Sequence, residues 1–324
     1  MTDDKIKVLY IAGSGRSGTT LLARLLGELD GFVNVGEAAR YLCDGNMQAR
    51  QAAKHVPCGC GRPIFECPFW SEKVRLMPAE LSHEGARMVR TRRFPSLLMA
   101  SRASRVPMQY RAILSALVGI YREIARETNC RVIVDSSKHP ANALLLSLAP
   151  EIDLHVLHVV RSPRRVVASW SKKKAYLVAQ PARKIIALWW ADNLLSEALK
   201  IKARSYRRVR YEDFVKDPGK CVQQAAADVV ENAPPVSFIN NAEATVRRQH
   251  TLAGNPDKLE VGKIRIADGN DTLAGALKWF VNLSTFPLLL RYHYWPGNRG
   301  GGSERSSPQL LKTNNSVSGG QPVA

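Results

Sequence analysis

No stretch of this sequence runs far enough without charge or proline to cross a membrane. The best candidate, Leu273–Leu290, is interrupted by Lys278, Asn282 and Pro287, well short of about 18 clean apolar residues. A secretory leader is not expected either, because Met1-Thr2-Asp3-Asp4 is acidic where a leader is basic and Arg16 soon breaks the apolar run that follows. The chain is therefore expected to be cytoplasmic, with its six cysteines acting as thiols or metal ligands before disulfides. Acidic residues are scarce: 28 Asp and Glu against 47 Lys and Arg leave a formal charge of +19 over 324 residues. Such an excess favours a polyanionic ligand, an acidic membrane or a nucleic acid. No spaced Cys/His fingers or aromatic-rich RNA-binding strands accompany it, so a nucleic-acid partner is not expected. Internal repeats are absent, and 45% hydrophobic residues exclude disorder of the whole chain.

What is present is an alternation of apolar strands and helices. Lys5–Ala12 reads as a buried strand, Gly13–Gly18 as a glycine and serine turn, and Thr19–Leu29 as a helix with leucines at helical spacing. The pattern recurs with strands at Arg131–Asp135, Leu154–Val160 and Tyr206–Tyr211. Helices are expected over Pro140–Leu148, from Ser162-Pro163 through Trp170, over Pro181–Arg204 and after Asp217-Pro218. This order predicts an α/β, P-loop-like three-layer fold with a mostly parallel central sheet and helices on both faces. Residues 1–296 are expected to form one domain. Within it, 41–128 reads as a mainly helical insertion on the acceptor side, and 297–324 as a disordered tail of Gly, Ser, Asn and Pro. Positive charge gathers at Arg87, Arg90, Arg92, Arg93, Arg102, Arg105 and Arg111, at Lys172–Lys174, and at Lys200–Arg210.

Gly13-Ser14-Gly15-Arg16-Ser17-Gly18-Thr19-Thr20 lies between strand and helix, where a phosphate loop belongs. Glycines let successive N–H groups converge on an anion at the positive end of the helix. Thr19 stands where an ATP-binding loop carries its lysine, which disfavours β- and γ-phosphate neutralisation in the usual manner. Val132–Asp135 does resemble the strand and terminal Asp that hold magnesium in kinases, so a phosphoryl-transferring NTP enzyme is one rival. A polyanion-binding protein is the other. Arg161, just past the third strand, and Ser169, two turns into the next helix, form a second candidate anion site.

The loop GSGRSGTTLL, the segment VVRSPRRVVAS and the later RYEDF together resemble the sulfotransferases that use 3′-phosphoadenosine-5′-phosphosulfate (PAPS). The resemblance covers roughly residues 5–40 and 130–295. It implies that Gly15, Arg16, Ser17, Gly18, Thr19 and Thr20 hold the 5′-phosphosulfate, and that Arg161 and Ser169 hold the 3′-phosphate. Tyr211 matches a tyrosine that contacts the adenine in some members; read from its surroundings it equally well closes a strand. The family's late loop to the 3′-phosphate falls near His250–Lys258, where Lys258 would supply a point charge.

Sulfuryl transfer needs a base for the acceptor hydroxyl and positive charge on the departing oxygen. Glu37, in Gly36-Glu37-Ala38-Ala39-Arg40, resembles the glutamate of the G-E-x-x-R motif in tyrosylprotein sulfotransferases, where it serves as base; Arg40 matches the arginine. Lys138 follows the second strand and is assigned, with Arg16, to charge stabilisation in the transition state; no metal is required for this chemistry. Ser136 and Ser137 are candidate caps of the following helix; His139, His155 and His158 are weaker candidates for the base, the latter two lying within a strand and read as structural. The acceptor is expected to be a hydroxyl on a glycan, lipid or small molecule, with peripheral contact to an acidic membrane. Cys58, Cys60 and Cys67 could bind zinc with Cys43 or His55 as a fourth ligand, pair as a disulfide, or remain thiols.

Overall fold

Apolar strands alternate with helices in the computed structural model, which describes residues 5–89, 91–101, 106–172, 179–267 and 273–294. The expected tail at 297–324 and Arg90, Arg102, Arg105, Lys173 and Lys174 lie outside the described residues.

Five parallel strands form the central sheet: β1 (Ile6–Ala12), β2 (Phe32–Gly36), β3 (Val132–Lys138), β4 (Ile152–Val160) and β5 (Ser205–Arg210), in the spatial order β2-β3-β1-β4-β5. β1 is central because it is apolar on both faces; Val8 to Ala12 are buried without exception. A smaller antiparallel sheet, β6 (Ile239–Asn240), β7 (Glu243–Val246) and β8 (Gly262–Arg265), carries too little apolar periodicity to be expected from sequence.

One sheet face is covered by α1 (Thr19–Leu26), whose Leu22, Leu25 and Leu26 are fully buried with Leu9, Ile11, Val132 and Val134. Each such leucine contributes about 1.5–3 kcal/mol by leaving water. The opposite face packs on α2 (Ala38–Leu42) and on helices of the 41–128 segment: α3 (Gly45–Ala53), α4 (Ser71–Arg75), α5 (Ala79–Met88), α6 (Phe94–Ala100) and α7 (Met108–Thr128). α7 lays Ile113, Leu117, Ile120 and Ile124 into the same core as Val8, Tyr10 and Ile133. The segment thus supplies a helical layer of the sheet.

After β3 come α8 (Pro140–Leu146), α9 (Pro163–Ser171) following β4, α10 (Ala182–Ala198), then α11 (Tyr211–Lys216), α12 (Pro218–Ala227) and α13 (Gly275–Arg291). α12 starts as its sequence demands, with Asp217 accepting the Lys220 N–H at 3.0 Å ahead of Pro218. Among the described residues no helix is long and apolar enough to cross a membrane.

Candidate active site

The strand order decides what the loops can touch. β1 lies between β3 and β4, so the turn after β1 has the end of β3 on one side and the end of β4 on the other. Ala12, the last residue of β1, pairs with Lys138 of β3 and with His158 of β4. Carboxyl ends of parallel strands at such a switch point are where ligands bind in α/β sheets.

The turn itself is held by steric necessity. Gly18 has φ +83°, and a Cβ there would sit 2.2 Å from the Tyr211 ring. Gly13 has φ +137°, with the Val159 carbonyl oxygen 2.3 Å from any added Cβ. Glycine is the residue that meets both demands. Arg16 also adopts a left-handed conformation, at φ +68°. The buried Ser17 Oγ, at the mouth of the turn, has no hydrogen-bond partner among the described residues. A buried hydroxyl without a partner costs about 1–3 kcal/mol, which an anion above the α1 N-terminus would recover.

On the β4 side the expected nucleotide-binding residues meet. Arg16 Nε donates to Ser169 Oγ at 3.1 Å, and Arg161 donates to the Arg16 carbonyl at 3.0 Å. The Arg161 guanidinium lies 4.4 Å from the Tyr211 ring centroid, a cation–π contact. Tyr211 opens α11 and its hydroxyl donates to the Ala267 carbonyl at 3.3 Å. The Arg161 backbone is set from behind: Trp189 Nε1 donates to its carbonyl at 3.0 Å, and the Ser162 N–H donates to Glu212 of the RYEDF segment at 3.2 Å.

On the β3 side lies a different group. Glu37 is 3% exposed, its carboxylate bonded by Lys138 Nζ and, at 3.1 Å, by Arg40. Burial pushes the Glu37 carboxyl up, but the Lys138 and Arg40 charges outweigh it and hold the group below the usual glutamate range. Lys138 reaches it from a left-handed residue, φ +69°, that ends β3. Gly254 joins these groups: a Cβ there would lie 3.9 Å from Glu37 Oε1 and 4.0 Å from Thr20. Arg16 and Lys138, both assigned to charge stabilisation from sequence, therefore contact different partners on opposite flanks of the turn.

Asp135 accounts for the position of Glu37. Its carboxylate accepts from the Tyr121 hydroxyl at 2.6 Å, the Ala39 N–H at 2.8 Å and the Ser137 N–H at 2.7 Å. Three donors on one buried carboxylate tie β3 to the first turn of α2, directly after Glu37. Ser137 Oγ adds a fourth tie by accepting the Arg40 N–H at 3.0 Å, so it caps the helix after Glu37, where the sequence suggested the helix after itself.

The late loop packs against β2 and the cysteine-bearing turn. Leu252 brackets β2, accepting the Glu37 N–H at 2.9 Å and donating to the Val35 carbonyl at 3.0 Å. Lys258, placed near the 3′-phosphate by sequence, is buried and donates to the Pro57 carbonyl at 2.7 Å; burial lowers its ammonium to about 8. The fourth residue at the cysteine cluster is neither Cys43 nor the exposed His55. It is His250, whose Nδ1 lies 3.2 Å from Cys67 Sγ across 183 residues of sequence.

His139, a weaker base candidate from sequence, borders Glu37, and Asp192, which the sequence did not single out, interacts with Arg40. His139 is lowered to about 4, by burial and by the Arg40 charge, so it is neutral beside the carboxylate. Asp192, on α10, is pushed up to about 7 by burial, with Arg40 opposing. Nothing in the helical spacing of Pro181–Arg204 separates Asp192 from an ordinary polar position. His158 is a structural residue, bonded to Tyr206 at 2.7 Å and Asn193 at 3.0 Å, and His155 bonds Ser205 at 2.7 Å.

Two solved structures are similar to the chain at low identity. The sulfotransferase domain from the Synechococcus PCC 7002 olefin synthase is 18% identical, with 90% of this chain and 96% of that one covered and a TM-score of 0.48. A sulfotransferase from Alicyclobacillus acidocaldarius is 15% identical, with 88% and 95% covered and a TM-score of 0.40. No curated protein matches the sequence. The family model described as the sulfotransferase family matches residues 9–227, from the first strand through α12 and across every residue of the two flanks except the late loop. The chain belongs to the sulfotransferase family of transferases.

Proposed function

We propose that the protein transfers a sulfuryl group from PAPS to a hydroxyl acceptor. The observation that carries this is the division of labour about one turn: a carboxylate–lysine pair on the β3 flank and an arginine–serine–tyrosine group on the β4 flank. When bound, PAPS supplies the sulfuryl group and leaves as adenosine 3′,5′-bisphosphate. Gly15, Arg16, Ser17, Gly18, Thr19 and Thr20 would hold its 5′ end, Arg161 and Ser169 the 3′-phosphate, and Tyr211 the adenine side. The orphan Ser17 hydroxyl and the glycine cradle fit such an anion.

Glu37 receives the acceptor's hydroxyl proton. It is ionised at neutral pH because Lys138 and Arg40 favour its charged form, and its backbone cannot drift, being bonded to Leu252 and followed by the Asp135-anchored turn. Lys138 ends β3 with its ammonium at that carboxylate and supplies one cation to the site. Arg16 adds a second cation from the turn itself. Preorganised cations of this kind are worth several kcal/mol at a developing oxyanion, about 2.7–4 for one donor.

A phosphoryl-transferring enzyme would instead respond to ATP with magnesium. Thermal denaturation separates the two: PAPS or adenosine 3′,5′-bisphosphate at a hundredfold excess over its dissociation constant is expected to add about 2.7 kcal/mol without added magnesium, whereas ATP with magnesium adds little. Arg161→Ala is expected to weaken that nucleotide's affinity by about tenfold or more, the loss of one charge-assisted contact. Equal affinity in this variant would remove the β4 flank from the site. A polyanion binder would instead lose all affinity at high salt and ignore Arg16→Ala.

The acceptor belongs in part to a membrane surface on this proposal. α13 buries Val281, Thr285, Leu288 and Leu289 against the protein but exposes Trp279 (72%), Phe280, Leu283 (81%), Phe286 and Leu290 on its other side. An exposed apolar stripe ending in Lys278 and Arg291, on a chain of charge +19, suits the interface of an acidic bilayer. Cosedimentation is expected with vesicles rich in phosphatidylserine and not with phosphatidylcholine alone, and Leu283→Ser with Trp279→Ser should abolish it.

A further inference from the structure

We propose that Cys58, Cys60, Cys67 and His250 bind a structural zinc ion that locks the loop beneath Glu37. Cys67 Sγ lies 3.6 Å from Cys58 Sγ and 3.7 Å from Cys60 Sγ, and 3.2 Å from His250 Nδ1. All four ligand atoms lie within 4.8 Å of one another. With Zn–S bonds of about 2.3 Å and Zn–N of about 2.0–2.1 Å, the edges of a regular tetrahedron would be about 3.8 Å between sulfurs and about 3.6 Å between sulfur and nitrogen. The two sulfur–sulfur separations from Cys67, 3.6 and 3.7 Å, match these edges, the 3.2 Å sulfur–nitrogen separation is shorter than its edge, and all are far from the roughly 2.05 Å of a disulfide. Three sulfurs and an imidazole nitrogen closing on one point is a geometry a disulfide has no use for, and a thiolate-rich tetrahedral set selects zinc among common divalent ions.

The surroundings are built for ligands. Cys58 to Arg62 is a tight turn, closed by the Gly61 N–H on the Cys58 carbonyl and the Cys58 N–H on the Arg62 carbonyl, both 2.9 Å, with Gly61 at φ +89°. Gly59 admits no side chain, since a Cβ would lie 2.4 Å from Thr251 Oγ1. His250 is fixed in orientation by stacking on Phe69 (centroids 5.2 Å, planes 20° apart) and by Trp70 Nε1 donating to its carbonyl at 2.9 Å. Arg248 donates to the Cys60 carbonyl at 2.9 Å. On binding, each of the three thiols gives its proton to solvent and the imidazole stays neutral, so the site carries +2 − 3 = −1. The buried Lys258 ammonium, held on the carbonyl of Pro57 next to Cys58, offsets that charge.

The consequence for the site follows from connectivity. Two residues past His250, Leu252 accepts the Glu37 N–H, and Gly254 borders the Glu37 carboxylate. A metal at the cluster thus ties the insertion to the loop that seats Glu37. This last step rests on the sulfotransfer proposal; the metal site does not.

Metal analysis of the reduced, purified full chain is expected to find about one zinc per chain, the stoichiometry of one four-ligand site. Replacing zinc by cobalt should give thiolate-to-cobalt charge-transfer absorption and the strong visible bands of a tetrahedral site. His250→Ala should lose most of the metal, while Cys221→Ser retains it. A chain that remains metal-free after reconstitution with zinc, or that shows a disulfide among Cys58, Cys60 and Cys67 when isolated under non-reducing conditions, would overturn the proposal. Metal content and the cobalt spectrum of the unmutated chain need no variant to fold and no sulfated product, so failure here is separable from failure of the functional proposal.

Discussion

Glu37→Gln is expected to lower kcat by about two to four orders of magnitude, the usual contribution of a positioned general base, or about 2.7–5.5 kcal/mol in the transition state. Affinity for adenosine 3′,5′-bisphosphate should be nearly unchanged, because its expected ligands lie about the turn and on the β4 flank, whereas Glu37 lies on the β3 flank. Gln keeps the shape but has one acceptor oxygen where Lys138 and Arg40 each donate to a separate carboxylate oxygen, so urea denaturation of the variant accompanies the kinetics to separate loss of the base from loss of fold. The pH profile gives a second readout. Glu37 is held below the ordinary glutamate range, so its ionised form, and the ion pairs with Lys138 and Arg40, are fully present at neutral pH. They are lost together as pH falls through that depressed value. The acid limb of kcat/KM should therefore lie below the usual glutamate range, and Glu37→Gln should erase it. A variant with native turnover would end the assignment of Glu37 as base.

Asp135→Asn should show the largest loss of stability of any single change near the site. The carboxylate accepts from two backbone N–H groups and the Tyr121 hydroxyl, an arrangement with no place for a donor. Burial pushes the Asp135 carboxyl up and the hydrogen bonds pull it back; all three bonds require its acceptor form. An amide would set its own N–H group against one of those donors, at a cost of about 2–4 kcal/mol for buried charge-assisted bonds broken without replacement. Tyr121→Phe, which removes one donor and leaves the carboxylate satisfied by two, should cost about 1 kcal/mol. Urea denaturation measures both. In Asp135→Asn, kcat should fall even at low temperature where the variant is still folded, because the first turn of α2 then holds Glu37 less firmly; unchanged stability would mean the three bonds contribute nothing net.

The two flanks differ in how legible they were. The turn after β1 could be read from glycine spacing because glycine is demanded locally, by a left-handed backbone and by the approach of Tyr211 and Val159. Arg161 and Ser169 were visible as a strand end and a helix position two turns on. Glu37, Arg40 and Lys138 could be named from motifs, but the Glu37–Lys138 ion pair joins residues 101 apart, and no spacing encodes that. The Lys258 contact was hidden for the same reason: its ammonium donates to the carbonyl of Pro57, 201 residues earlier. His250 was invisible beside Cys58, Cys60 and Cys67 because a metal-ligand pattern read along the chain searches short intervals.

Local chemistry along the chain was sufficient for the alternation of strands and helices, the anion-binding turn and the excess of positive charge, since each depends on side chains within a few residues of one another. Which strands are neighbours was settled only when the chain folded. With β1 between β3 and β4, one turn is flanked by a carboxylate–lysine pair on one side and an arginine–serine pair on the other. Hydrogen bonding and apolar burial across distant segments set that order, and it is the order that makes separate motifs into one site.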